Sequence, residues 1–528
     1  MSAKEKYILC IDLGTSGCKA AVFTIQGEFV GFDFTSVPLH LIPPGGAEQD
    51  PNDWWSAIRQ STRRLLQNHP VRPEEIAAVS VNTQWSGTVA VDQNGRHLMN
   101  ALIWLDTRGA KQVKDIKRSR INLSGFGVGK LYRWLRWTGG APSRTGKDPL
   151  AHILYIKEQH PDLYRATYKF MEVKDYINLR LTGKFLATCD SITLHWLTDN
   201  RDLSRIDYHP ALLKISGLPR EKFPDLVEAT DIIGNLSRPA GADLGLPASV
   251  KVVGGSPDMI AAAIGSGAVR DYEAHSYLGT SSWLSAHVPY KKTDLGSGVA
   301  ALPSAIPNRY FIANEQETAG NCLNFLRDNI LYHPDELLRE DKAPDIFKIF
   351  DREAATAPPG ANGLIFTPWL FGERTPVDNH LIRGGWHNLS LTNSRADVIR
   401  SCLEGVALNQ KWALGAVEKF MRRETGPISI VGGGANSDIW CQIHADVLGR
   451  PIRQVADPIL ANARGSAFIA AVALGEMRFE DIPGRIKIKQ TYHPNPDHRE
   501  LYDAMFKEFV NIYHANKEIH ARLNRRKR

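Results

Sequence analysis

Two short segments of this chain combine glycine with hydroxyl-bearing residues between apolar runs. The first is Asp12-Leu13-Gly14-Thr15-Ser16-Gly17, and its Gly-Thr-Ser triplet is repeated at Gly279-Thr280-Ser281. Glycine lets a backbone turn tightly and lets amide hydrogens approach an anion, while Thr and Ser add hydroxyl donors. One such turn is more often only a hairpin, but its recurrence favours a pair of turns that grip a triphosphate. The pattern therefore predicts a phosphate site between two similar halves.

Two aspartates lie where apolar strands should end. Asp12 closes the first strand and is placed to hold Mg²⁺ through water, because magnesium gives up its waters reluctantly. Asp258 follows Val252-Val253-Gly254-Gly255-Ser256-Pro257 and precedes the small-residue helix predicted over Met259–Ile264. It could simply cap that helix. Alternatively, it accepts a proton from an alcohol. Phosphoryl transfer requires such a proton acceptor in addition to positioning and charge neutralisation.

A third glycine-rich turn stands at Gly432-Gly433-Gly434-Ala435-Asn436-Ser437, between a strand Ile428–Val431 and a helix Asp438–Leu448. It lacks the G-x-G-x-x-G spacing and downstream acid of a dinucleotide fingerprint. Two interpretations remain open: close packing of strand on helix, or a helix start that receives a phosphate or sugar edge.

The elements that must position these residues alternate between strands and helices. Strands are predicted at Tyr7–Ile11, Lys19–Thr24, Glu28–Phe34 and Ile76–Val81, and a helix capped by Asp50-Pro51 at Trp54–Leu66. This alternation indicates an α/β architecture. A chain of 528 residues exceeds one ordinary core, so we expect two domains, residues 1–265 and 266–528, joined near Gly265–Asp271 and enclosing a ligand cleft.

The order of these motifs along nearly the whole chain resembles the FGGY family of carbohydrate kinases. Further motifs carry the resemblance, namely Trp104-Leu105-Asp106-Thr107-Arg108, the run Phe366–Pro376 with its Gly372-Glu373-Arg374-Thr375-Pro376 block, and Leu403-Glu404-Gly405-Val406-Ala407. Within the family, that block and Lys174-Asp175-Tyr176 with Leu181-Thr182-Gly183 make the chain most similar to xylulokinases.

The resemblance implies a duplicated actin-like or hexokinase-like (ribonuclease H-like) fold that binds ATP and Mg²⁺ and phosphorylates a small sugar or polyol. It implies Asp258 as the base, with Asp12 and Asp258 near the metal. The other implied nucleotide contacts are Thr15, Ser16 and Lys19 from the first half, Gly279 and Thr280 from the second, Gly320 and Asn324 facing the nucleotide, and Gly433, Gly434 and Ser437 near adenosine. A homodimer would be unsurprising for such a kinase.

The expected acceptor site departs from the xylulokinase pattern. Gln84-Trp85-Ser86-Gly87 stands where xylulokinases usually have Gln-Met-His-Gly, and Met259 replaces the amide after the base. We expect Gln84, Trp85, Ser86, Asp258 and Met259 to contact the acceptor. D-xylulose is the first interpretation, with ribulose, erythritol, glycerol or gluconate as alternatives because buried polar groups discriminate strongly among hydroxyl patterns. An actin-like ATPase or a catalytically silent relative are the competing classes, and acceptor-stimulated ADP release separates them from a kinase.

Composition narrows the remaining classes. The net charge of +7 is modest for the length and lies partly in a terminal basic run, Arg522, Arg525, Arg526, Lys527 and Arg528, expected to be a solvated end. No aromatic-interleaved basic stripe suggests nucleic acid, and no apolar stretch suggests a bilayer span or signal peptide. Six scattered cysteines without a CxxC pair favour reduced, buried thiols, and seventeen histidines form no metal motif. We expect a cytoplasmic protein.

Several other side chains could have either a functional or a structural role. The aromatic stripe Tyr132, Trp134 and Trp137 could stack on a sugar, although such residues more often fill a core or lid. Arg133 and Arg136 could neutralise phosphate or lie on a solvated face. Glu373 and Arg374 are expected to pair with each other at the domain interface.

Overall fold

A computed structural model describes residues 6–119, 122–123, 125–331 and 345–525. Its strands are β1 (Tyr7–Gly14), β2 (Gly17–Thr24), β3 (Phe29–Ser36), β4 (His40–Ile42), β5 (Gly46–Gln49), β6 (Ile76–Thr83), β7 (Val89–Val91), β8 (Ala101–Leu102), β9 (Asn122–Leu123), β10 (Phe126–Gly127), β11 (Lys169–Met171), β12 (Leu186–Thr188), β13 (Asp225–Val227), β14 (Ile232–Asn235), β15 (Lys251–Val253), β16 (Ala274–Leu278), β17 (Ser282–Val288), β18 (Thr293–Asp294), β19 (Val299–Pro303), β20 (Tyr310–Ala313), β21 (Ile365–Thr367), β22 (Gly385–His387), β23 (Ile428–Val431), β24 (Ile452–Val455) and β25 (Ile488–Tyr492).

Helices alternate with these strands. They are α1 (Pro51–Asn68), α2 (Ala110–Lys117), α3 (Val128–Thr138), α4 (Pro149–Gln159), α5 (Pro161–Ala166), α6 (Val173–Thr182), α7 (Pro210–Ser216), α8 (Arg238–Leu244), α9 (Asp258–Gly265), α10 (Gly320–Leu326), α11 (Ile346–Thr356), α12 (Arg395–Met421), α13 (Asp438–Leu448), α14 (Ala461–Ala473) and α15 (Arg499–Arg525). The strands and helices predicted from sequence fall on β1, β2, β3, β6, β23, α1, α9 and α13.

Each half of the chain builds a mixed sheet around a hairpin. In the N-terminal half the strand order is β14-β15-β6-β1-β2-β3. The β1–β2 and β2–β3 pairs are antiparallel, β1–β6 and β6–β15 are parallel, and β14–β15 is antiparallel. Three parallel strands therefore end at the same edge, where β1 delivers the first glycine turn.

The C-terminal half repeats that arrangement. Its sheet runs β18-β19-β20-β17-β16-β23-β24-β25. The pairs β16–β17, β17–β20 and β24–β25 are antiparallel, whereas β16–β23 and β23–β24 are parallel. Thus β20-β17-β16-β23-β24-β25 reproduces β3-β2-β1-β6-β15-β14 strand for strand and sense for sense. The predicted duplicated α/β fold is confirmed.

Local chemistry explains why the first helix begins where it does. Asp50 has extended backbone angles and its carboxylate accepts a 2.7 Å hydrogen bond from the Asn52 amide. Pro51 stands at the first helical position, where it loses no hydrogen bond and its fixed φ suits the helix. The buried face of α1, including Trp54 and Ile58, covers β2 and β3. The predicted cap is therefore confirmed.

Two helices cross in unusually close contact between the halves. α14 comes late in the chain, yet it packs on α9, β1 and β6 of the N-terminal sheet. A Cβ added at Gly265 would lie 1.8 Å from the Ala461 carbonyl oxygen, and one at Gly465 would lie 1.8 Å from that of Ala261. Only glycine permits such an approach. The division at residue 265 stays a prediction, and the chain crosses back to the N-terminal lobe at α14.

The remaining expectations divide into core and surface. All six cysteines are free and buried. Trp134 is wholly buried and donates to the Trp196 carbonyl at 3.2 Å, and Trp137 stacks on His209 with ring centroids 3.7 Å apart. Tyr132, Arg133 and Arg136 lie on the exposed face of α3. Arg522 and Arg525 are exposed, and residues 526–528 of the basic run lie outside the described residues. Within those residues, no helix has the length and apolarity needed to cross a bilayer.

Candidate active site

The first glycine turn projects Asp12 and Lys19 from neighbouring strands toward the second half of the chain. Gly14 pairs with Gly17, so Thr15 and Ser16 form the tip of the β1–β2 hairpin. The Lys19 ammonium lies 3.4 Å from Asp12 Oδ2 and donates to the Ile459 carbonyl at 2.8 Å. Because Ile459 lies two residues before α14, Lys19 ties the hairpin to the start of that helix.

Asp258 lies at the first turn of α9, on the same side of the molecule as Asp12. The helix is capped by Pro257, so Asp258 is not the N-cap residue; its Oδ1 accepts a 2.8 Å hydrogen bond from the Met259 amide. Burial, together with the charges of Asp12 and Glu315, raises the pKa of Asp258 to about 8. A carboxyl with that pKa is a competent proton acceptor near neutral pH.

Asp12 and Asp258 fit the chemistry of a magnesium site. Burial raises the pKa of Asp12 despite the nearby Lys19 charge, and Asp12 in turn disfavours ionisation of Asp258. A divalent cation relieves both penalties, and Mg²⁺ commonly takes one or two carboxylates plus phosphate oxygens and water. Within the described ranges no cluster of three or more acidic, histidine or cysteine side chains offers a complete metal cage. The pair therefore suits a metal that arrives with a nucleotide.

The segment that carries Asp258 is held from behind by a buried polar network. The Gly254 carbonyl accepts hydrogen bonds from Lys174 Nζ at 2.9 Å and Asn178 Nδ2 at 2.8 Å. Ser256 Oγ donates to Asp190 Oδ2 at 2.5 Å. Lys174 also pairs with Asp175, and both side chains are inaccessible to solvent. The Lys-Asp-Tyr motif thus has a positional role for the loop before the base.

The second and third glycine turns meet at the edge of the C-terminal sheet. Tyr277 pairs with Val431 in parallel register, so Gly279-Thr280 and Gly432-Gly433-Gly434 emerge side by side. The Gly320 amide donates to the Gly279 carbonyl at 2.8 Å, and a Cβ on Gly320 would lie 2.6 Å from that oxygen. These turns therefore share one site, although they come from distant parts of the chain.

The predicted adenosine-side residues have different local roles. Gly433 is exposed with open space beside it, whereas a Cβ on Gly434 would meet Leu278 Cγ at 2.6 Å. Ser437 caps α13 by accepting from the Trp440 amide at 3.1 Å, and its hydroxyl donates to Asp351 Oδ1 at 2.7 Å. Asn324 donates to Asn321 Oδ1 at 3.1 Å on the same helix, α10. Their contacts with a nucleotide remain predictions.

Thr15 and Gln84 belong to a chain of side-chain hydrogen bonds between the first hairpin and the acceptor loop. Trp104 Nε1 donates to Thr15 Oγ1, and Thr15 donates to Gln84 Oε1, both at 2.9 Å. Gln84 Nε2 donates to Gln49 Oε1 at 2.7 Å, and Gln49 Nε2 donates to the Thr15 carbonyl at 2.9 Å. The Thr15 hydroxyl proton is therefore committed to Gln84, which leaves Ser16, the exposed residue of the turn, as the free hydroxyl.

The other predicted acceptor contacts also have their hydrogen-bonding groups engaged. Trp85 is buried and donates to the Ser191 carbonyl at 2.8 Å. Ser86 has a left-handed φ of 72°, and its hydroxyl donates to the Lys147 carbonyl at 2.9 Å. Met259 is half-buried against the apolar core below α9. Direct polar contact of Trp85 or Ser86 with an acceptor would require an exchange of these bonds, so both stay predictions.

The opposite wall carries Arg374 and three charged side chains to which the sequence had given no role, namely Lys147, Glu315 and Glu317. Lys147 of the N-terminal half lies 3.4 Å from Glu317 of the C-terminal half. Arg374 pairs with Glu315 and with Glu317, the latter through Nε at 3.0 Å. The alternation Glu315-Gln316-Glu317 after a strand was the available signal, because a period of two places both acids on one side. Lys147 carried no such signal.

One expectation about this wall was wrong. The Glu373 and Arg374 side chains do not pair with each other. Glu373 instead accepts hydrogen bonds from the amides of Arg374 and Glu317, at 2.7 and 3.2 Å, and from Asn409 Nδ2 at 2.5 Å. Successive residues of an extended segment point to opposite sides, so Glu373 braces the backbone while Arg374 reaches the acids beside the cleft.

Comparison with known proteins identifies the family to which this site and fold belong. The N-terminal domain model of the FGGY family of carbohydrate kinases matches residues 7–265, and the C-terminal domain model of the same family matches residues 274–474. The chain belongs to the FGGY family of carbohydrate kinases. It is therefore a carbohydrate kinase, and its duplicated fold is the actin-like fold of that family.

Relatives of this kinase carry two different acceptor names. A xylulose kinase from Staphylococcus epidermidis is 28% identical, covering 98% of this chain and 99% of that protein. A gluconokinase from Bacillus licheniformis is 24% identical, covering 96% of each. Among solved structures, a xylulose kinase from Brucella ovis has a TM-score of 0.84 at 26% identity, covering 97% of this chain and 100% of that chain. A gluconate kinase from Lactobacillus acidophilus has a TM-score of 0.85 at 24% identity, covering 99% and 100%.

Proposed function

We propose that this protein transfers the terminal phosphoryl group of ATP to a hydroxyl of a small polyhydroxylated acid or sugar, with Asp258 as the base. The observation that carries the proposal is the convergence of Asp258, Asp12 and the Lys19 hairpin at the starts of two crossed helices. A carboxyl with a raised pKa thereby faces a phosphate-binding turn.

Atoms and protons balance simply in this reaction. The bond between the β,γ-bridging oxygen and the terminal phosphorus breaks, and a new bond joins that phosphorus to the acceptor oxygen. The acceptor hydroxyl proton passes to Asp258, and ADP leaves. Backbone amides of the turns at Ser16 and Thr280 are placed to donate to phosphate oxygens, and Lys19 adds a positive charge. Mg²⁺ held by Asp12 and Asp258 would neutralise developing charge on those oxygens.

Two acceptor classes are supported by the comparisons. D-xylulose has the better support from overall similarity, since several relatives over nearly the full chain are xylulose kinases. A sugar acid of the gluconate type is the second candidate. The gluconokinase relatives favour it, and so does the pairing of two cations, Lys147 and Arg374, with one acid, Glu317, where the Lys147 carbonyl is bonded to Ser86 of the predicted acceptor loop.

Measuring ADP release with Mg²⁺ and ATP tests the proposal. D-xylulose, D-ribulose, glycerol, erythritol, D-gluconate and D-glucitol would each be added at millimolar concentration, and phosphorylated product would be identified by mass spectrometry. We expect one acceptor to stimulate ADP release at least tenfold over water. ADP release that no acceptor stimulates would instead indicate an ATPase or a regulatory nucleotide-binding protein.

A further inference from the structure

Lys147 is a buried cation with an incomplete set of partners. The residue is 7% exposed. Within the described part of the chain, its ammonium donates one hydrogen bond, of 3.4 Å, to Glu317 Oε1. An ammonium has three donors, so two of them have no acceptor among the described residues. Buried donors almost always have a hydrogen-bond acceptor. The unused donors of Lys147 therefore indicate a site for an oxygen atom of a ligand.

The Arg374 guanidinium, which also contacts Glu317, has an unused hydrogen-bond donor. Its Nε already donates to Glu317 Oε1 at 3.0 Å, the oxygen that Lys147 also uses. Its Nη2 lies 2.9 Å from that oxygen, yet it is buried and makes no hydrogen bond with any described residue. One carboxylate oxygen therefore serves two cations, and each retains donor capacity.

A series of charge interactions connects these cations with the base. Glu315 pairs with Arg374 and also raises the pKa of Asp258, so it stands within electrostatic reach of both. The Lys147 ammonium lies 5.6 Å from the centroid of the Trp104 ring and 5.5 Å from that of Phe371. The two rings belong to different halves of the chain, so the ammonium stands between the lobes with aromatic walls on two sides.

We propose that Lys147 and Arg374 bind the carboxylate of a sugar-acid acceptor whose reacting hydroxyl lies at Asp258. This inference rests on the proposed function and names its acceptor class. A carboxylate offers two oxygens and a negative charge, which matches two cationic donors better than a neutral hydroxyl does. The carboxylate is a handle and takes no part in phosphoryl transfer.

Burial provides a supporting electrostatic argument. Desolvation lowers the pKa of Lys147, and the charge of Arg374 lowers it further, while Glu317 and Glu315 act in the opposite direction. Glu315 and Glu317 already match the two cations in charge, so the case for a further anion rests on the unused donors of Lys147 and Arg374 and not on net charge. A carboxylate there would offset part of the cost of burying the Lys147 ammonium, and repulsion from Asp258 would keep the acid end of the acceptor away from the base.

D-gluconate and D-glucitol form a matched pair for the test, because they share a carbon chain and differ in a carboxylate against a CH₂OH group. Steady-state ADP release would give kcat/KM for each, and titration calorimetry on the full chain would give each dissociation constant. For the natural sequence we expect a preference for gluconate of at least tenfold. Lys147→Met should reduce that preference by roughly 10- to 100-fold, the scale of a hydrogen bond to a charged group.

Lys111→Met is the matched control, because this lysine is exposed and its ion-pair partner Glu158 is exposed as well. It should leave the gluconate preference unchanged. If Lys147→Met lowers the thermal transition too far for assay, Lys147→Gln gives the same comparison with a polar side chain.

Three results overturn the inference. Equal losses for gluconate and glucitol in Lys147→Met would show a structural role for the lysine. The natural sequence could phosphorylate D-xylulose and show no preference for gluconate over glucitol. That result would contradict the proposed carboxylate-binding role and leave the proposed kinase function intact. The absence of stimulation by every acceptor would defeat both.

Discussion

Replacement of the carboxyl of Asp258 by an amide should remove the proton acceptor and keep the shape of the site. General-base catalysis contributes roughly 10² to 10⁴ in rate, so Asp258→Asn should lose that much kcat on the best acceptor. The structure adds a pH signature. With a pKa of about 8 in the nucleotide-free protein, only about a tenth of the molecules carry an ionised Asp258 at pH 7.

The corresponding assay is kcat/KM for Mg·ATP at fixed acceptor from pH 6 to 9. Because the base must be ionised, the natural sequence should gain about tenfold per pH unit below pH 8 and level off above it. In Asp258→Asn, kcat/KM should no longer rise with pH in this range. Asp162→Asn is the matched control, since this acid is 91% exposed and pairs with Arg165 on the surface.

Stability distinguishes a lost base from a damaged fold. A raised pKa means that the ionised carboxylate opposes folding: the stability contributed by protonated Asp258 is complete below about pH 4 and is lost as the pH rises through about 8. The asparagine variant should therefore melt at or above the temperature of the natural sequence at pH 8. Turnover of Asp258→Asn within tenfold of the natural protein, with the pH limb intact, would refute the assignment.

Three further changes test the scaffold around the base. Gly465→Ala should lower the thermal transition by several degrees, because its Cβ would lie 1.8 Å from the Ala261 carbonyl oxygen at the crossing. Gly415→Ala, at an exposed position of α12 with open space around it, is the calorimetric control for an added methyl group without a clash. Lys19→Met should raise KM for ATP at least tenfold with a smaller effect on acceptor KM, since it removes the charge that we propose faces the ATP phosphates and the 2.8 Å bond to Ile459; equal changes in both constants would contradict this role. Lys174→Met should destabilise the protein by about 3–5 kcal/mol in urea unfolding because Asp175 would be left buried without its cation, and a variant as stable as the natural protein would show that the network is not needed.

The sequence located the parts of the site that depend on local geometry. Parallel strands end at a common sheet edge, so the turns after Leu278 and Val431 could be expected to meet, and they do. The repeated Gly-Thr-Ser turns likewise identified the duplication, because each half needs the same hairpin at the same strand. Asp258 could be placed at a helix start from the glycines and proline before it.

Contacts between distant segments could not be inferred from spacing. Nothing near Thr15 in the chain reveals that its hydroxyl is bound by Gln84 and Trp104. Lys147 follows a glycine in an irregular loop, and its position between two aromatic rings depends on how the lobes pack. The pairing expected of Glu373 and Arg374 failed for a simpler reason, since neighbours in an extended segment point apart.

The crossing of α9 and α14 limits how this kinase can open and close. Asp258 begins α9, and Lys19 is bonded to Ile459 just before α14. Because Gly265 and Gly465 bring the two helix backbones into direct contact, the helices cannot slide apart without breaking the packing that keeps the base beside the first hairpin. We therefore expect any closure to move the turns at Gly279 and Gly433 toward a fixed base and hairpin. Because the Lys147–Glu317 contact joins the two lobes, an acceptor that bridges Lys147 and Arg374 should favour the arrangement in which that contact is made.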